Sequence, residues 1–490
     1  MPVLQITNNN GQMELSWLST NAGFSYVLQF KVDLSPSNAW MGVPIPPAFT
    51  GNRITVKLPP AVLSRAGQQF FRLAQQVPLF QYAIFYNMDM EICPGANMTI
   101  NGKTYVNGNV WVDPSGTLTF GDRMETTAPL VVYTRSPNDQ QSSTFNPMVI
   151  YLDTNSPVLN APPMFLPAET NSAMSAAFIL DLPPPGLDPN SFYNQGYLYN
   201  EADIIISNAA IGFISAFYQD SNNVNRLTYI PCDVTNVIGS VTNYSYSFVT
   251  NVSFYDYRES KTVKAVQLDI GRFNAWLSGA GRIFSQELNH DSGHPIESIY
   301  VYNSIPMSST QLPAVRVANG ATLPPQGLTV ATPFPLYVLG NYNASGVSLN
   351  NGTNVVNAAP AALMGDAITV LSTSWTDAYT PFTTLPSRNA GNTTVNAATL
   401  EGIVPSVTVN GLKHYSGGVE NFLRLLENWA GDTLTYNGSI VFLFQSRYAT
   451  NFWQTPGNYY NIPIRNWGFD LNFLDQSKLP PLTPFVTTSF

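Results

Sequence analysis

The sequence predicts a mainly β protein with an N-terminal β-sandwich, a following β-helix-like domain with a large inserted β-rich lobe, and a few short helices. Three observations predict this class. Short runs of alternating apolar and polar residues dominate the chain, turn-forming Asn-Gly and Ser-Pro pairs separate them, and charged residues make up only 10%. Exposed helix faces are normally built with Glu, Lys and Arg, so this composition disfavours a helix-rich fold.

A first domain is predicted over residues 1–76. Alternating apolar and polar residues mark its strands, which we expect at 13–17, 26–30, 54–58 and 70–73. Strands this short, separated by turns, predict a small antiparallel sandwich. Trp17 and Trp40 are its expected core anchors, with stacking on carbohydrate as the alternative role of these rings.

These N-terminal residues resemble a known class of module. The resemblance lies in Leu15-Ser16-Trp17, Tyr26 to Gln29, Trp40 with Val43-Pro44, and Phe70-Phe71-Arg72-Leu73. They look like the fibronectin type III-like modules attached to large secreted bacterial proteins. The resemblance implies a spacer or an adhesion unit.

Residues 77–490 are predicted to form the β-helix-like domain. Asn-Gly occurs at 101–102 and again at 107–108, close to short apolar runs. Short strands with Gly and Asn at the corners suit the rungs of a parallel β-helix, and Asn-Gly hairpins in an antiparallel sandwich are the alternative. The expected rungs include 110–112, 117–120, 328–338, 367–371 and 439–444.

The middle of the chain, at roughly 135–315, is predicted to be an inserted lobe on that scaffold. It opens with irregular Pro-rich sequence and continues into a series of strands. One helix is expected to begin at Asp269 as its N-cap and to stop at Gly279. A second helix is expected over 419–429, where apolar residues recur at helical spacing.

Composition excludes several kinds of partner. The formal charge is −9 and no run of Lys or Arg occurs, so nucleic acid and anionic membrane surfaces are poor partners. The longest uncharged apolar stretch, 204–218, is too short for a membrane span. No signal peptide follows Met1, so the export signal of a surface protein is not visible in this numbering. Cys93 and Cys232 leave open one disulfide or two buried thiols.

Candidate chemical sites are few. His290 and His294, with Asp291 between them, have a spacing that suits a transition metal, but the neighbouring Gly and Pro indicate a polar loop. Asp89 and Glu91 face the same side of a predicted strand, as the paired carboxylates of a glycosidase can, although solvent-facing residues or weak calcium ligands are the simpler interpretation. We therefore assign no catalytic, cofactor-binding or metal residues, and we expect neither a cofactor nor enzymatic activity.

The densest charge cluster lies in a predicted hairpin. It consists of Asp256, Arg258, Glu259, Lys261 and Lys264. Exposed ion pairs contribute little to stability, and we interpret this cluster as a hydrated turn with local ion pairs.

Residues 80–490 also resemble the large pilus-assembly proteins of the type IV PilX type. The matching stretches are Phe80 to Tyr86 with Asp89 and Glu91, Phe254 to Glu259 with Val263 to Val266, Tyr415 to Gly418 with Glu420 to Phe422, and Trp467 to Asp470. The resemblance implies export and a place in or on a surface appendage. The apolar N-terminal helix that anchors a pilin-like subunit is missing from this sequence.

Two functions follow from these observations. The first is an exported structural or adhesive surface protein, a pilus-associated or self-assembling subunit that binds itself or other appendage subunits without catalysis. The second is a carbohydrate-binding or carbohydrate-active β-helix protein that uses paired carboxylates and aromatic platforms on a polysaccharide. The C-terminal Trp453, Tyr459, Tyr460 and Trp467 are candidate platforms, and exposed rings beside clustered carboxylates favour this second function.

Overall fold

A computed structural model describes most of the chain. The described residues are 2–9, 12–18, 25–31, 41–43, 48–50, 53–58, 69–143, 147–166, 175–186, 196–209, 214–219, 227–238, 241–350 and 354–488. Strands far outnumber helices in these ranges, which confirms the mainly β class. Trp40 lies outside the described residues.

The N-terminal strands form two antiparallel sheets around a small core of their own. The strands are β1 (Gln5–Asn9), β2 (Gln12–Leu18), β3 (Ser25–Lys31), β4 (Met41–Gly42), β5 (Ala48–Thr50), β6 (Arg53–Leu58) and β7 (Phe70–Pro78). One sheet has the order β1-β2-β6-β5, and the other contains β7-β3-β4. Leu15, Trp17 and Leu58 are buried between them. Trp17 is therefore a core residue, as predicted.

Most of the remaining strands belong to a β-helix. The first group is β8 (Ile84–Tyr86), β9 (Met90–Ile92), β10 (Met98–Ile100), β11 (Thr104–Val106), β12 (Val110–Val112), β13 (Thr117–Phe120), β14 (Met124–Thr126), β15 (Val131–Val132), β16 (Met148–Tyr151) and β17 (Met164–Phe165). The middle group is β18 (Ile204–Asn208), β19 (Ile214–Gln219), β20 (Leu227–Ile230), β21 (Val234–Ile238), β22 (Val241–Ser245), β23 (Val249–Asp256), β24 (Lys261–Asp269), β25 (Ser298–Asn303) and β26 (Gln311–Ala318). The last group is β27 (Leu328–Ala331), β28 (Leu336–Leu339), β29 (Ser348–Asn350), β30 (Asn354–Val356), β31 (Ala361–Met364), β32 (Ile368–Leu371), β33 (Thr393–Asn396), β34 (Ala398–Ile403), β35 (Val407–Val409), β36 (Leu412–His414), β37 (Arg424–Leu425), β38 (Thr433–Asn437), β39 (Ile440–Gln445), β40 (Ile464–Gly468) and β41 (Phe485–Thr488).

The β-helix has three faces, and strands on each face pair with the strands of the next turn. The first face is an 11-stranded sheet, β14-β11-β8-β39-β34-β31-β27-β25-β18-β19-β20. The second face holds β24-β26-β28-β32-β37 with β23 at its edge, and also β15-β12-β9. The third face holds β33-β38-β40 and β10-β13-β16. Pairing between turns is parallel except at the sheet ends, where β18-β19, β19-β20 and β23-β24 are antiparallel, so the β-helix and not the antiparallel sandwich is observed.

Turns do not stack in the order of the sequence. The chain builds three turns from β8 to β16, passes to the far end of the helix, and returns through β18, β25, β27, β31 and β34 to β39. There β39 pairs in parallel with β8, with Ile440 opposite Ile84. The first turn in the sequence therefore lies in the interior of the stack, where it is covered on both sides.

Identical positions of successive turns lie on top of each other. In the first turns the spacing is 20 residues, and the Asn107 amide donates to Asn87 Oδ1 at 2.7 Å. The rings of Phe85 and Tyr105 stack with centroids 5.6 Å apart. Elsewhere Asn396 donates to the Asn343 carbonyl at 2.8 Å and accepts from Asn437 at 2.8 Å. Such ladders satisfy buried polar groups at the corners, where strand pairing cannot do so.

Helices are short. The described α-helices are α1 (Leu198–Glu201), α2 (Ile270–Ser278) and α3 (Arg282–Ser292), and 3₁₀ turns occur at Leu79–Gln81, Ala176–Leu180, Leu385–Ser387, Val419–Asn421, Leu471–Leu474 and Gln476–Lys478. The Asp269 carboxylate caps α2 by accepting from the Arg272 amide at 3.0 Å, and Gly279 ends the helix, as predicted. The helix predicted at 419–429 is wrong, because that segment contains a 3₁₀ turn and β37. Within the described residues, no helix has the length and apolarity of a membrane span.

Strands from the segment predicted as an inserted lobe lie in the long sheets themselves. β18 and β25 pair in parallel with each other on the first face, and β24 and β26 do so on the second. The division between residues 76 and 77 stays a prediction. β7 runs across it and also pairs with the C-terminal strand β41, so the N-terminal module and the β-helix share a sheet.

Candidate functional site

A cavity of about 350 Å³ lies on the outside of the second face and contains both predicted carboxylates. Its lining residues include Asp89, Glu91, Asn107, Trp111, Ser136, Asn138, Ser406, Ser416 and Gln445. β9 and β12 place two of these side by side, because Glu91 lies directly opposite Trp111 in the parallel register. Val110 and Val112 point into the core, and the intervening Trp111 therefore points outward and is half-buried.

Glu91 is fixed in the wall of this cavity. Its side chain is buried, and its Oε2 accepts from the hydroxyls of Ser406 and Ser416, each at 2.5 Å. The two serines are joined to each other, since the Ser416 amide donates to Ser406 Oγ at 2.8 Å. Both follow β34 in the chain, more than 300 residues after Glu91. The carboxylate is thus held in one orientation by the neighbouring turn of the β-helix.

Asp89 differs from Glu91 although the two are close in sequence. It is exposed, and its Oδ1 accepts from the Asn109 backbone amide at 2.7 Å and from the Asn109 side chain at 3.1 Å. Gly108 packs directly on it, because a Cβ at that position would lie 2.6 Å from the same oxygen. The prediction that both residues are solvent-facing therefore holds for Asp89 and is wrong for Glu91.

Cys93 directly follows β9 and is buried. Its amide donates to Glu420 Oε2 at 3.0 Å, and the Tyr415 hydroxyl donates to the other oxygen of Glu420 at 3.0 Å. Burial and the neighbouring Glu420 raise the pKa of the Cys93 thiol. Cys93 and Cys232 are both free thiols in the structure.

Three of the five residues in the charge cluster near residue 258 are buried and Lys261 and Lys264 are half-buried, which corrects the prediction of a hydrated turn. Asp256, Arg258 and Glu259 form the turn between β23 and β24, and each is less than 10% exposed. Glu259 pairs with Arg424 at 3.1 Å, and Asp256 accepts from the Tyr337 hydroxyl at 2.6 Å. Both partners belong to other turns of the β-helix, so the cluster ties the hairpin to the stack.

The predicted histidine loop begins later than expected. α3 extends to Ser292 and includes His290, and the chain leaves the helix at Gly293, where φ is +81°. His294 Nδ1 lies 3.6 Å from Glu297 and 3.9 Å from Asp203. The side chains of His290 and Asp291 lie outside the described part of the structure. Within that part, no group of three or more His, Cys, Asp or Glu residues is arranged to hold a metal ion.

The C-terminal aromatic residues do not form an exposed row. Trp453, Tyr459 and Tyr460 are buried, and the Trp453 indole donates to the Tyr460 hydroxyl at 3.2 Å. Trp467 packs its ring edge-on against Phe422 and is partly buried. These residues are part of the core. In the cavity, the aromatic ring beside Asp89 and Glu91 is that of Trp111, a residue predicted only as part of a strand.

One end of the β-helix is a second candidate site. β16 is the last strand of the third face, and on its outer edge it has no strand partner among the described residues. Leu130, Met148 and Leu152 at this end are more than 50% exposed. We refer to β15, β16 and their flanking residues Leu130 and Leu152 as the open end.

Comparisons with known proteins give little further guidance. No protein-family model matches the chain, and no curated protein matches it. Among solved structures, the chain is similar to the competence-associated pilin ComZ from Thermus thermophilus, at 9% identity and a TM-score of 0.29, over 99% of this chain and 84% of that one. A similarity this low carries no argument about fold or function. The resemblance to pilus-assembly proteins therefore stays a prediction.

Proposed function

We propose that the protein is an exported, non-enzymatic structural subunit of a surface assembly, and that two copies join through their open ends. The observation that carries the proposal is the unfinished core of the last turn. The proposal of export and a surface location rests on two features. The sequence contains few charged residues, and the fold is mainly β.

Inward-facing side chains at equivalent positions of successive turns form an apolar column on the third face, and this column changes from buried to half-buried at the open end. Ile100 and Phe120 are almost fully buried, whereas Tyr151, which stacks on Phe120 with centroids 5.2 Å apart, is half-buried. Val149 lies opposite the buried Leu118 and is also half-buried. No further turn covers these side chains among the described residues. An apolar column left uncovered in this way favours association with another surface.

Strand β16 has the properties of an edge that pairs. Its sequence, Met148 to Tyr151, contains no charged residue and no proline, which are the usual devices against edge pairing. Each copy carries a formal charge of −9, so copies repel each other over most of their surface. The open end itself contains no charged residue.

At the opposite end of the β-helix, β20 is likewise the last strand of its sheet among the described residues, but packed side chains cover part of this end. There β19 and β20 turn antiparallel, and the Tyr246 hydroxyl joins them by accepting from Ala216 and donating to Ile230. Phe284 of α3 packs on Tyr218 of β19. Growth into a filament requires two complementary ends, whereas pairing of one open end with the same end of a second copy produces a closed two-fold pair.

The test is the mass of the full chain by light scattering across a concentration series. We expect the wild type to approach twice the monomer mass, and Ile150→Lys in the centre of β16 to remain a monomer. Phe382→Lys is the matched control, because Phe382 is 90% exposed on a turn away from β16 and its replacement leaves the dimer intact.

Circular dichroism establishes that each variant is folded, and Leu152→Lys serves if Ile150→Lys does not fold. A wild type that stays monomeric at every concentration contradicts the proposal. Open-ended growth contradicts the two-fold arrangement. Equal loss of association in Phe382→Lys contradicts the placement of the interface.

A further inference from the structure

The cavity beside Trp111 has the features of a ligand site that the structural role does not require. We propose that it binds one neutral saccharide unit, with the sugar ring on the indole of Trp111 and its hydroxyl groups on Glu91 and Asp89. The proposal goes beyond dimer formation and does not depend on it, because the cavity contains none of the residues of the open end.

The shape and size of the cavity fit a small ligand. Its volume of about 350 Å³ lies at the lower end of the range of small-molecule sites, which is roughly 300–1,000 Å³. Trp111 offers a half-buried ring to it, and the electron-rich face of an indole attracts the weakly positive C–H groups of a sugar ring. The flat indole ring of Trp111 can contact a sugar ring at a low cost in side-chain conformational entropy, because no long flexible side chain has to be ordered.

Polar side chains in the cavity wall are held in place, but some of their atoms have no hydrogen-bond partner in the described structure. Both hydrogen bonds to Glu91 go to Oε2, and among the described residues Oε1 has no hydrogen-bond partner. Ser136 is 7% exposed, and its buried Oγ has no hydrogen-bond partner in the described structure. A buried hydroxyl without a partner is unfavourable, and a ligand hydroxyl that reaches it relieves this.

Charge selects the class of ligand. Two carboxylates and no Lys or Arg line the cavity. Arg135, next to Ser136, points to Asp113 at 3.3 Å and to Asp139 at 2.6 Å. The wall therefore accepts hydrogen bonds from hydroxyl groups and repels phosphates and uronic acids. Calcium prefers six to eight oxygen ligands, and the described residues hold no cluster of three acidic side chains here.

The test is calorimetric titration of the full chain with glucose, galactose, N-acetylglucosamine, maltose and cellobiose as neutral probes, and with glucuronic acid as the anionic one. We expect at least one neutral sugar to bind, and glucuronic acid to bind about tenfold more weakly or not at all. Trp111→Ala is expected to weaken binding by about tenfold or more, and Trp111→Phe by less, because it keeps a smaller ring. Tyr133→Ala is the matched control, since Tyr133 is an exposed aromatic residue outside the cavity.

Several results overturn the proposal. One is no binding of any neutral probe up to about 10 mM. Others are equal binding of glucuronic acid, unchanged affinity in both Trp111 variants with the wild-type circular dichroism spectrum, and displacement of the sugar by calcium. Light scattering on the same samples separates this outcome from failure of the dimer, because it measures association independently of sugar binding.

Discussion

Replacement of Glu401 by Gln tests how the β-helix tolerates an acid in its interior. Glu401 is 1% exposed, and burial raises the pKa of its carboxyl group to about 8 from an ordinary 4.5. The Ile368 amide donates to Oε2 at 2.8 Å, but Oε1 is buried without a hydrogen-bond partner in the described structure. A single amide does not replace the water that an ionised carboxylate loses.

The sign of the pH dependence follows from the direction of the pKa change. The folded state holds the proton of Glu401 more tightly than the unfolded chain does. The contribution of protonated Glu401 to the free energy of unfolding is therefore fully present below pH 4.5 and is lost as the pH rises through about 8. Between pH 5 and pH 8 the loss from this one group amounts to roughly 3 kcal/mol in the free energy of unfolding.

Glu401→Gln removes the titrating group and keeps its shape. Relative to the wild type, the variant is expected to gain about 3 kcal/mol as the pH is raised from 5 to 8. Urea unfolding of both proteins at several pH values, followed by circular dichroism, measures this difference. Glu287→Gln is the matched control, because Glu287 is exposed on α3. A constant difference between Glu401→Gln and the wild type over this range refutes the reasoning.

Three further predictions concern the stacking of turns. Asp366→Asn is expected to lower the free energy of unfolding by about 1–3 kcal/mol and to speed hydrogen exchange at the Arg447 backbone amide, because an amide oxygen that keeps the N–H groups of Tyr448 and Ala449 leaves the NH₂ group facing the Arg447 N–H; unchanged exchange at that amide contradicts this. Asn396→Ala interrupts the ladder between two turns, and thermal unfolding is expected to show a loss of about 2–4 kcal/mol; an unchanged melting temperature contradicts the role of the ladder. Gly108→Ala is expected to cost about 1–3 kcal/mol, since a Cβ there meets the preceding turn at 2.6 Å, whereas Gly95→Ala, with open space around it, is expected to be neutral; equal effects of the two substitutions contradict this packing.

Only part of the candidate site could be predicted from the local sequence. The two-residue spacing predicted that Asp89 and Glu91 face the same side, because side chains alternate along a strand, and both residues line one cavity. It did not distinguish their burial, since that depends on Ser406 and Ser416 from a distant part of the chain. The 20-residue repeat that sets Trp111 beside Glu91 is visible in the sequence, but it covers only the first turns.

The sequence by itself determined the local structure. Alternating residues specified the N-terminal strands, and the pair Asp269 and Gly279 specified α2, because capping and strand patterning act between near neighbours. At 419–429 the same reasoning failed. Phe422 and Leu426 are buried, as a helical stripe would be, but they are buried by a corner of the β-helix and by neighbouring turns.

The tertiary structure alone decided the order of the turns. The pairing of β39 with β8 joins strands from opposite parts of the sequence, and parallel pairing depends on the fit of apolar columns and not on a connecting turn. The same long-range packing buried Asp256 and Glu259 and left the outer edge of β16 without a described strand partner. A local pattern records which face of a strand is apolar, and only the assembled stack determines what covers that face.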